Sequence, residues 1–233
     1  MKADPDSVEV SVLQALLGSR AAPLVIDVRR VDDIEASGRV ISGSLRRAPD
    51  RSCDWVPTLP RSQPVVVYCE HGRWISQSMA GTLREAGVDA RYLTGGYSAW
   101  SAAGGLTRLC RPSIERPTAW VTRERPKIDR IACPWLIRRF IDPLAQFHYV
   151  SAAAVLAEAE RLGAEPYDVP GVDYSHDAER CSFDAFIRQF DLRDPALDQL
   201  ATIVRGADTS RLDLAPQAAG LLAISLGLSA TRR

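Results

Sequence analysis

Cys69 closes an apolar run, Val65-Val66-Val67-Tyr68, and five residues, Glu70-His71-Gly72-Arg73-Trp74, separate it from the helical spacing that resumes near Ile75. A strand that turns into a helix across so short a loop can aim successive backbone N–H groups at one point, with the positive end of the helix behind them. An anion or a thiolate is favoured there. The chemistry this pattern suits is nucleophilic: Cys69 attacks, and Glu70, His71, Gly72, Arg73 and Trp74 form the wall that binds an anionic substrate. Asp27 and Arg29 end the preceding apolar run and read as hydrogen-bonding braces for that loop. The plainer alternatives are a packed small thiol for Cys69 and an exposed loop imidazole for His71. Trp100 is most simply core packing.

A second concentration of reactive groups lies in the other half of the chain. Pro134 is tolerated only in the first turn of a helix, which predicts a helix over residues 134–141 with Cys133 as its N-cap. There the unpaired N–H groups, with Lys127 and Arg130 nearby, would favour a thiolate. The other register starts the helix at Asp129 and kinks it at Pro134. His176 and Cys181 fall in a polar loop leading into a further helix. Cys133, His176 and Cys181 make a soft three-ligand set for zinc or another divalent metal, with Asp129, Asp173 or Asp184 able to complete it. Arg125, Lys127 and Arg130 offer an oxyanion pocket instead. Packed thiols, a capping histidine and a solvated basic face are the bland readings of the same residues.

The elements that must position these groups differ between the halves. Residues 23–28 and 64–69 are short, apolar and β-branched, as strands buried on both faces of a parallel sheet require, and 90–93 gives a third. Helical spacing occupies 12–17, 31–36, 75–86 and 97–102. This alternation predicts an open α/β layer. Gly104, Gly105 and an aperiodic, proline-bearing stretch end it, so a first unit over 1–107, a connection over 108–118 and a second unit over 119–233 are expected. The second unit reads as α-rich α+β: strands at 119–122 and 147–150, and helices over 152–162, 182–190, 195–204 and 214–226.

The motifs of the first half resemble those of rhodanese domains over residues 5–107. Val25-Ile26-Asp27-Val28-Arg29 is similar to the early strand with its Asp-x-Arg, Val67-Tyr68-Cys69 to the catalytic strand end, and Tyr92-Leu93-Thr94-Gly95-Gly96-Tyr97-Ser98-Ala99-Trp100 to the closing Gly-Gly and Trp signature. The resemblance implies sulfur transfer through a Cys69 persulfide, with no cofactor required. In active rhodaneses an Arg commonly stands five residues after the cysteine; here Arg73 stands four after it, followed by Trp74 and Ile75. Residues 117–231 resemble the C-terminal domain of ChrB-type chromate-resistance proteins, on the runs Arg125 to Arg139, Tyr174 to Asp184, Arg205-Gly206-Ala207-Asp208 and Leu214-Ala215-Pro216-Gln217-Ala218. That resemblance implies a bacterial role in the response to chromate.

Composition narrows the partners. The 233 residues carry 29 basic and 29 acidic side chains and 46% hydrophobic content, which excludes a disordered or collagenous chain. Five cysteines with no CxxC argue against a disulfide framework and a ribbon-type zinc site. The most apolar stretch, 218–228, falls short of the ~18 residues of a membrane span. The first ten residues show no secretory pattern, so a cytoplasmic location is expected. Residues 108–139 hold nine basic and three acidic side chains, residues 140–200 four and twelve. These segments can neutralise each other, and nothing amounts to a nucleic-acid-binding face. The expected partners are small: a sulfur donor or oxyanion such as thiosulfate, chromate or sulfate. The competing reading is a non-catalytic oxyanion or redox sensor that regulates chromate resistance. Oligomeric state is left open by the sequence.

Overall fold

The computed structural model describes residues 4–17, 19–111 and 118–231. The chain divides into two compact units, Met1–Arg116 and Pro117–Arg233.

In the first unit, β1 (Ser7–Val8), β2 (Leu24–Asp27), β4 (Leu45–Arg46), β5 (Val65–Tyr68) and β6 (Ala90–Leu93) form one parallel sheet in the order β1-β6-β5-β2-β4. The central strands β2 and β5 run in register from Leu24 beside Val65 to Asp27 beside Tyr68, and every residue of both is buried. Continuous burial is why these strands are apolar without alternation. The helices are α1 (Val10–Leu17), α2 (Val31–Ser37), α3 (Ser52–Trp55), α4 (Trp74–Glu85) and α5 (Gly96–Ala102). In α4 the buried residues Ser76, Met79, Ala80 and Leu83 recur at helical spacing, so one stripe faces the sheet. Val8, Leu13, Val25, Ile41, Val66, Tyr68, Leu93, Tyr97 and Trp100 pack into one core. The open parallel sheet with flanking helices that the sequence predicts is the fold observed.

A small antiparallel ladder pairs β3 (Arg39–Ile41) with β7 (Thr107–Leu109). Arg108 is buried within it, its Nη2 donating to the Ser44 carbonyl at 3.2 Å, and the Cys110 N–H donates to the Gly38 carbonyl. Residues 108–110 of the expected connection are thus paired with the first unit, while 112–117 lie outside the described residues.

The second unit holds three parallel strands, β8 (Ala119–Arg123), β9 (Gln146–Val150) and β10 (Glu165–Pro166), in the order β10-β8-β9. Helix α6 (Ile128–Leu136) continues into a single π-turn, Ile137–Ile141, on the way from β8 to β9, and α7 (Val155–Leu162) connects β9 to β10. Then come α8 (Ser182–Phe190), α9 (Pro195–Asp208) and α10 (Ala218–Thr231). Neighbouring residues of β8 serve opposite faces. Val121 packs with Val155, Ala159 and Val169, while Trp120 meets Tyr174 and Phe186 edge-on, each with ring centroids 5.2 Å away.

Of the two registers the sequence offers, the one starting at Asp129 is close to that observed: helix α6 begins at Ile128, six residues before Pro134, and contains that proline. Pro134 brings no N–H to the carbonyl of Arg130, one turn back. The Tyr149 hydroxyl donates to that carbonyl instead, at 3.3 Å. Lys127 is therefore the N-cap, and Cys133 lies inside the helix rather than at its start. Among the described residues no helix is long and apolar enough to cross a membrane.

Candidate functional site

Cys69 follows β5 directly, and residues 70–73 carry the chain to α4. The residue is 5% exposed. The sulfur lies 3.1 Å from the Ser76 hydroxyl, in the first turn of α4, and 3.9 Å from the Arg73 carbonyl. None of the backbone N–H groups of Glu70, His71, Gly72 and Arg73 donates to another group of the described chain. These donors stand directly before α4, in the kind of loop that can bind an anion.

The loop is held from the far side by the start of α5. The N–H groups of Tyr97 and Ser98 donate to the carbonyls of Cys69 and Glu70, both at 3.0 Å. Two glycines make that approach feasible. Gly72 sits at φ +64°, and a Cβ there would fall 2.5 Å from the Leu93 carbonyl oxygen and 2.6 Å from the Gly95 nitrogen. Gly96, at φ +61°, faces the Cys69 carbonyl and the Gly72 nitrogen so closely that a side chain has no room. The Gly-Gly motif is thus a packing surface for the cysteine loop.

Side chains reinforce it. Ser98 Oγ donates to Glu70 Oε1 at 2.7 Å and lies 3.2 Å from His71 Nδ1. Glu70 Oε2 is 3.4 Å from Arg29 Nη1. Arg29 in turn forms a fully buried fork with Asp27, at 2.7 Å for Nη2 to Oδ2, and lies over the Tyr97 ring at 4.0 Å. Burial opposes the guanidinium charge, but the bonds to Asp27, with the charge of Glu70 nearby, outweigh it and hold Arg29 above its ordinary value. The Tyr68 hydroxyl donates to Asp27 at 2.8 Å, and burial, then the Asp27 charge, raises its pKa. Arg73 and Trp74 are both exposed, Trp74 at 76%. The sequence singled out neither Ser76 nor the bracing role of Ser98, although Ser98 stands inside the Gly-Gly motif.

In the second unit the three residues considered as soft metal ligands do not gather as three donors. Cys133 is fully buried, and burial, then the charge of Asp129, raises its thiol well above the ordinary range. Cys181 is raised for the same two reasons, in that order. A thiolate at Cys133, expected of an N-cap, is disfavoured at this interior position. Cys181 is instead the N-cap of α8, its N–H donating to Asp184 at 3.1 Å.

His176 is brought to carboxylates. Its Nε2 lies 3.0 Å from Asp208 Oδ2, 3.5 Å from Asp129 Oδ2 and 3.5 Å from Asp168 Oδ1. Burial, then the charges of Asp208 and Asp168, pushes Asp129 up to about 8. Asp208 is raised chiefly by burial. Asp208 was visible only as part of the Arg205 to Asp208 run. The oxyanion set is not a set of free cations: Arg130 Nη1 pairs with Asp168 at 2.7 Å, as Arg123 does at 2.9 Å, while Arg125 and Lys127 are exposed.

Comparison with known proteins divides the chain at the same place. The family model for the rhodanese-like domain matches residues 9–103, and that for the ChrB C-terminal domain matches residues 120–233. Protein ChrB of Cupriavidus metallidurans is 34% identical over 126 residues, which are 54% of this chain and 37% of that protein. The chain therefore spans little more than a third of that relative's length. Among solved structures, a rhodanese-related protein from Thermoplasma volcanium is 22% identical, over 43% of this chain and 95% of that one, with a TM-score of 0.39. A rhodanese-like domain protein from Staphylococcus aureus is 22% identical, over 41% of this chain and 90% of that one, with a TM-score of 0.37.

Proposed function

We propose that this chain, a rhodanese-like domain followed by a ChrB C-terminal domain, transfers sulfane sulfur through Cys69 within a cellular response to chromate. One observation carries the reading: Cys69 sits at a strand end before the start of α4, inside a loop whose four N–H groups donate to no group among the described residues. Thiosulfate fits the chemistry as donor. The Cys69 sulfur attacks the outer sulfur of thiosulfate, their S–S bond forms, and the donor's S–S bond breaks with its electron pair leaving on sulfite. A nucleophilic acceptor, cyanide or a thiol, then takes the outer sulfur and regenerates the thiolate. The loop N–H groups hold the donor's negative oxygens, and Arg73, exposed at the rim, adds charge. Ser76 keeps the sulfur oriented.

The test is intact-protein mass spectrometry after thiosulfate treatment, followed by cyanide. One added sulfur on the wild type, absent in Cys69→Ser and retained in Cys53→Ser and Cys110→Ser, is expected, with thiocyanate released on cyanide addition. A wild type that acquires no sulfur from any sulfane donor would overturn the reading. The burial of the Cys69 sulfur against Ser76 also suits a second reading, a non-catalytic sensor of oxyanions or redox state. Stoichiometric sulfur uptake without turnover would favour it.

A further inference from the structure

We propose that Asp129, His176 and Asp208 bind one divalent first-row metal ion, in the class of Mn²⁺, Fe²⁺ and Zn²⁺, with Asp168 beside them. Each of the three offers a ligand atom, and those atoms lie within 4.8 Å of one another. They arrive from separate elements: the first turn of α6, the loop before α8, and the last residue of α9. The spacing suits a shared ion. With bonds of about 2.1 Å, ligand atoms on one metal stand about 3.0 Å apart in an octahedron and about 3.4 Å apart in a tetrahedron. The distances from His176 Nε2 are 3.0 Å to Asp208 and 3.5 Å to Asp129.

A second observation comes from Asp129. Its side chain is 1% exposed, and although Oδ2 accepts from the Ser182 N–H at 2.5 Å, the buried Oδ1 accepts no hydrogen bond among the described residues. Burying an unsatisfied carboxylate oxygen beside two further carboxylates is unfavourable, and a cation among them relieves it. The nearby guanidiniums do not fill that place. Arg123 and Arg130 both pair with Asp168, and among the described residues neither forms an ion pair with Asp129 or Asp208. Two carboxylates and an imidazole are hard-to-borderline donors. Cys133 and Cys181 lie outside this group of converging ligand atoms.

The test uses the full chain, stripped with a chelator and dialysed, with Mn²⁺ alone and then Zn²⁺ alone as probes. Binding of one Mn²⁺ or one Zn²⁺ per chain by calorimetry is expected, with a higher melting temperature on loading. Asp208→Asn and His176→Gln should each weaken binding by about tenfold or more. Cys69→Ser should bind as the wild type does. His176 is 42% exposed, so its replacement keeps the test valid if Asp208→Asn fails to fold. Wild-type protein that binds neither ion, or that binds no better than His176→Gln, would overturn the proposal. So would Zn²⁺ binding that survives His176→Gln but is lost in Cys181→Ser, which would return the site to the thiols.

Discussion

Ser76 Oγ lies 3.1 Å from Cys69 Sγ, across the turn that carries the chain from β5 into α4. The same hydroxyl lies 3.2 Å from the Arg73 carbonyl, so it ties the sulfur to the wall of its own loop. Ser76→Ala removes that tie without touching the loop backbone. A hydrogen bond of this kind contributes about 1 kcal/mol, so persulfide formation from thiosulfate should slow by roughly fivefold while the fold is retained. Stopped-flow measurement of sulfite release checks this; an unchanged rate would remove Ser76 from the site.

The Asp27 and Arg29 pair is fully buried and central to the loop's support. Asp27→Ala leaves a guanidinium in the core with Glu70, the Ser37 hydroxyl and the Arg39 carbonyl as its remaining acceptors among the described residues. Breaking a buried pair from one side costs about 3–5 kcal/mol. Urea denaturation should show a loss of that size, and adding Arg29→Met should recover part of it. Equal stability of Asp27→Ala and wild type would refute the bracing role.

Gly72→Ala places a methyl group against the backbone of residues 93–96 at a positive φ. Strain of about 1–3 kcal/mol is the minimum expected from the dihedral alone. The variant should lose sulfur uptake more completely than it loses stability, because the loop must back away from α5. Comparing the uptake rate with the thermal midpoint decides it.

Tyr149 and Pro134 are coupled through one carbonyl. Tyr149→Phe removes the donor that the Arg130 oxygen receives, at a cost of about 0.5–1.5 kcal/mol. Pro134→Ala supplies a backbone N–H to the same oxygen. In that background Tyr149→Phe should cost less. A double-mutant cycle with no coupling energy would show that the 3.3 Å contact contributes nothing.

The first unit should need residues beyond 107 to reach full stability. Fragment 1–111 keeps the whole β3–β7 ladder and the bond from Arg108 to the Ser44 carbonyl, and fragment 1–107 loses most of both. Denaturant titration should place the midpoint of 1–111 clearly above that of 1–107. Coincident curves would mean that the ladder adds nothing.

The central strands and most helices were legible because each is buried along its length or along one stripe, which leaves a run or a period in the sequence. β1, β4 and β10 have two residues each, too few for any period. The start of α6 was misplaced because the rule against internal proline is local, whereas the Tyr149 hydroxyl that relieves it comes from β9. The Cys69 loop was legible for the opposite reason, being one contiguous stretch. The carboxylates around His176 come from positions 129, 168 and 208 and meet only through tertiary packing. In the sequence the two thiols stand out by residue type, whereas nothing there shows that the carboxylates converge on His176.

The clamp between the cysteine loop and α5 also governs when the Cys69 loop takes its shape. Its bonds join residues 28 apart, as in Glu70 and Ser98, and they depend on β6 having already been added beside β5. During synthesis the chain must therefore extend past Ser98 before Cys69 is enclosed. Until then the thiol is an ordinary exposed cysteine on a nascent chain, open to adventitious oxidation. The enclosure of Cys69 is thus acquired late, as a product of docking two segments distant in sequence.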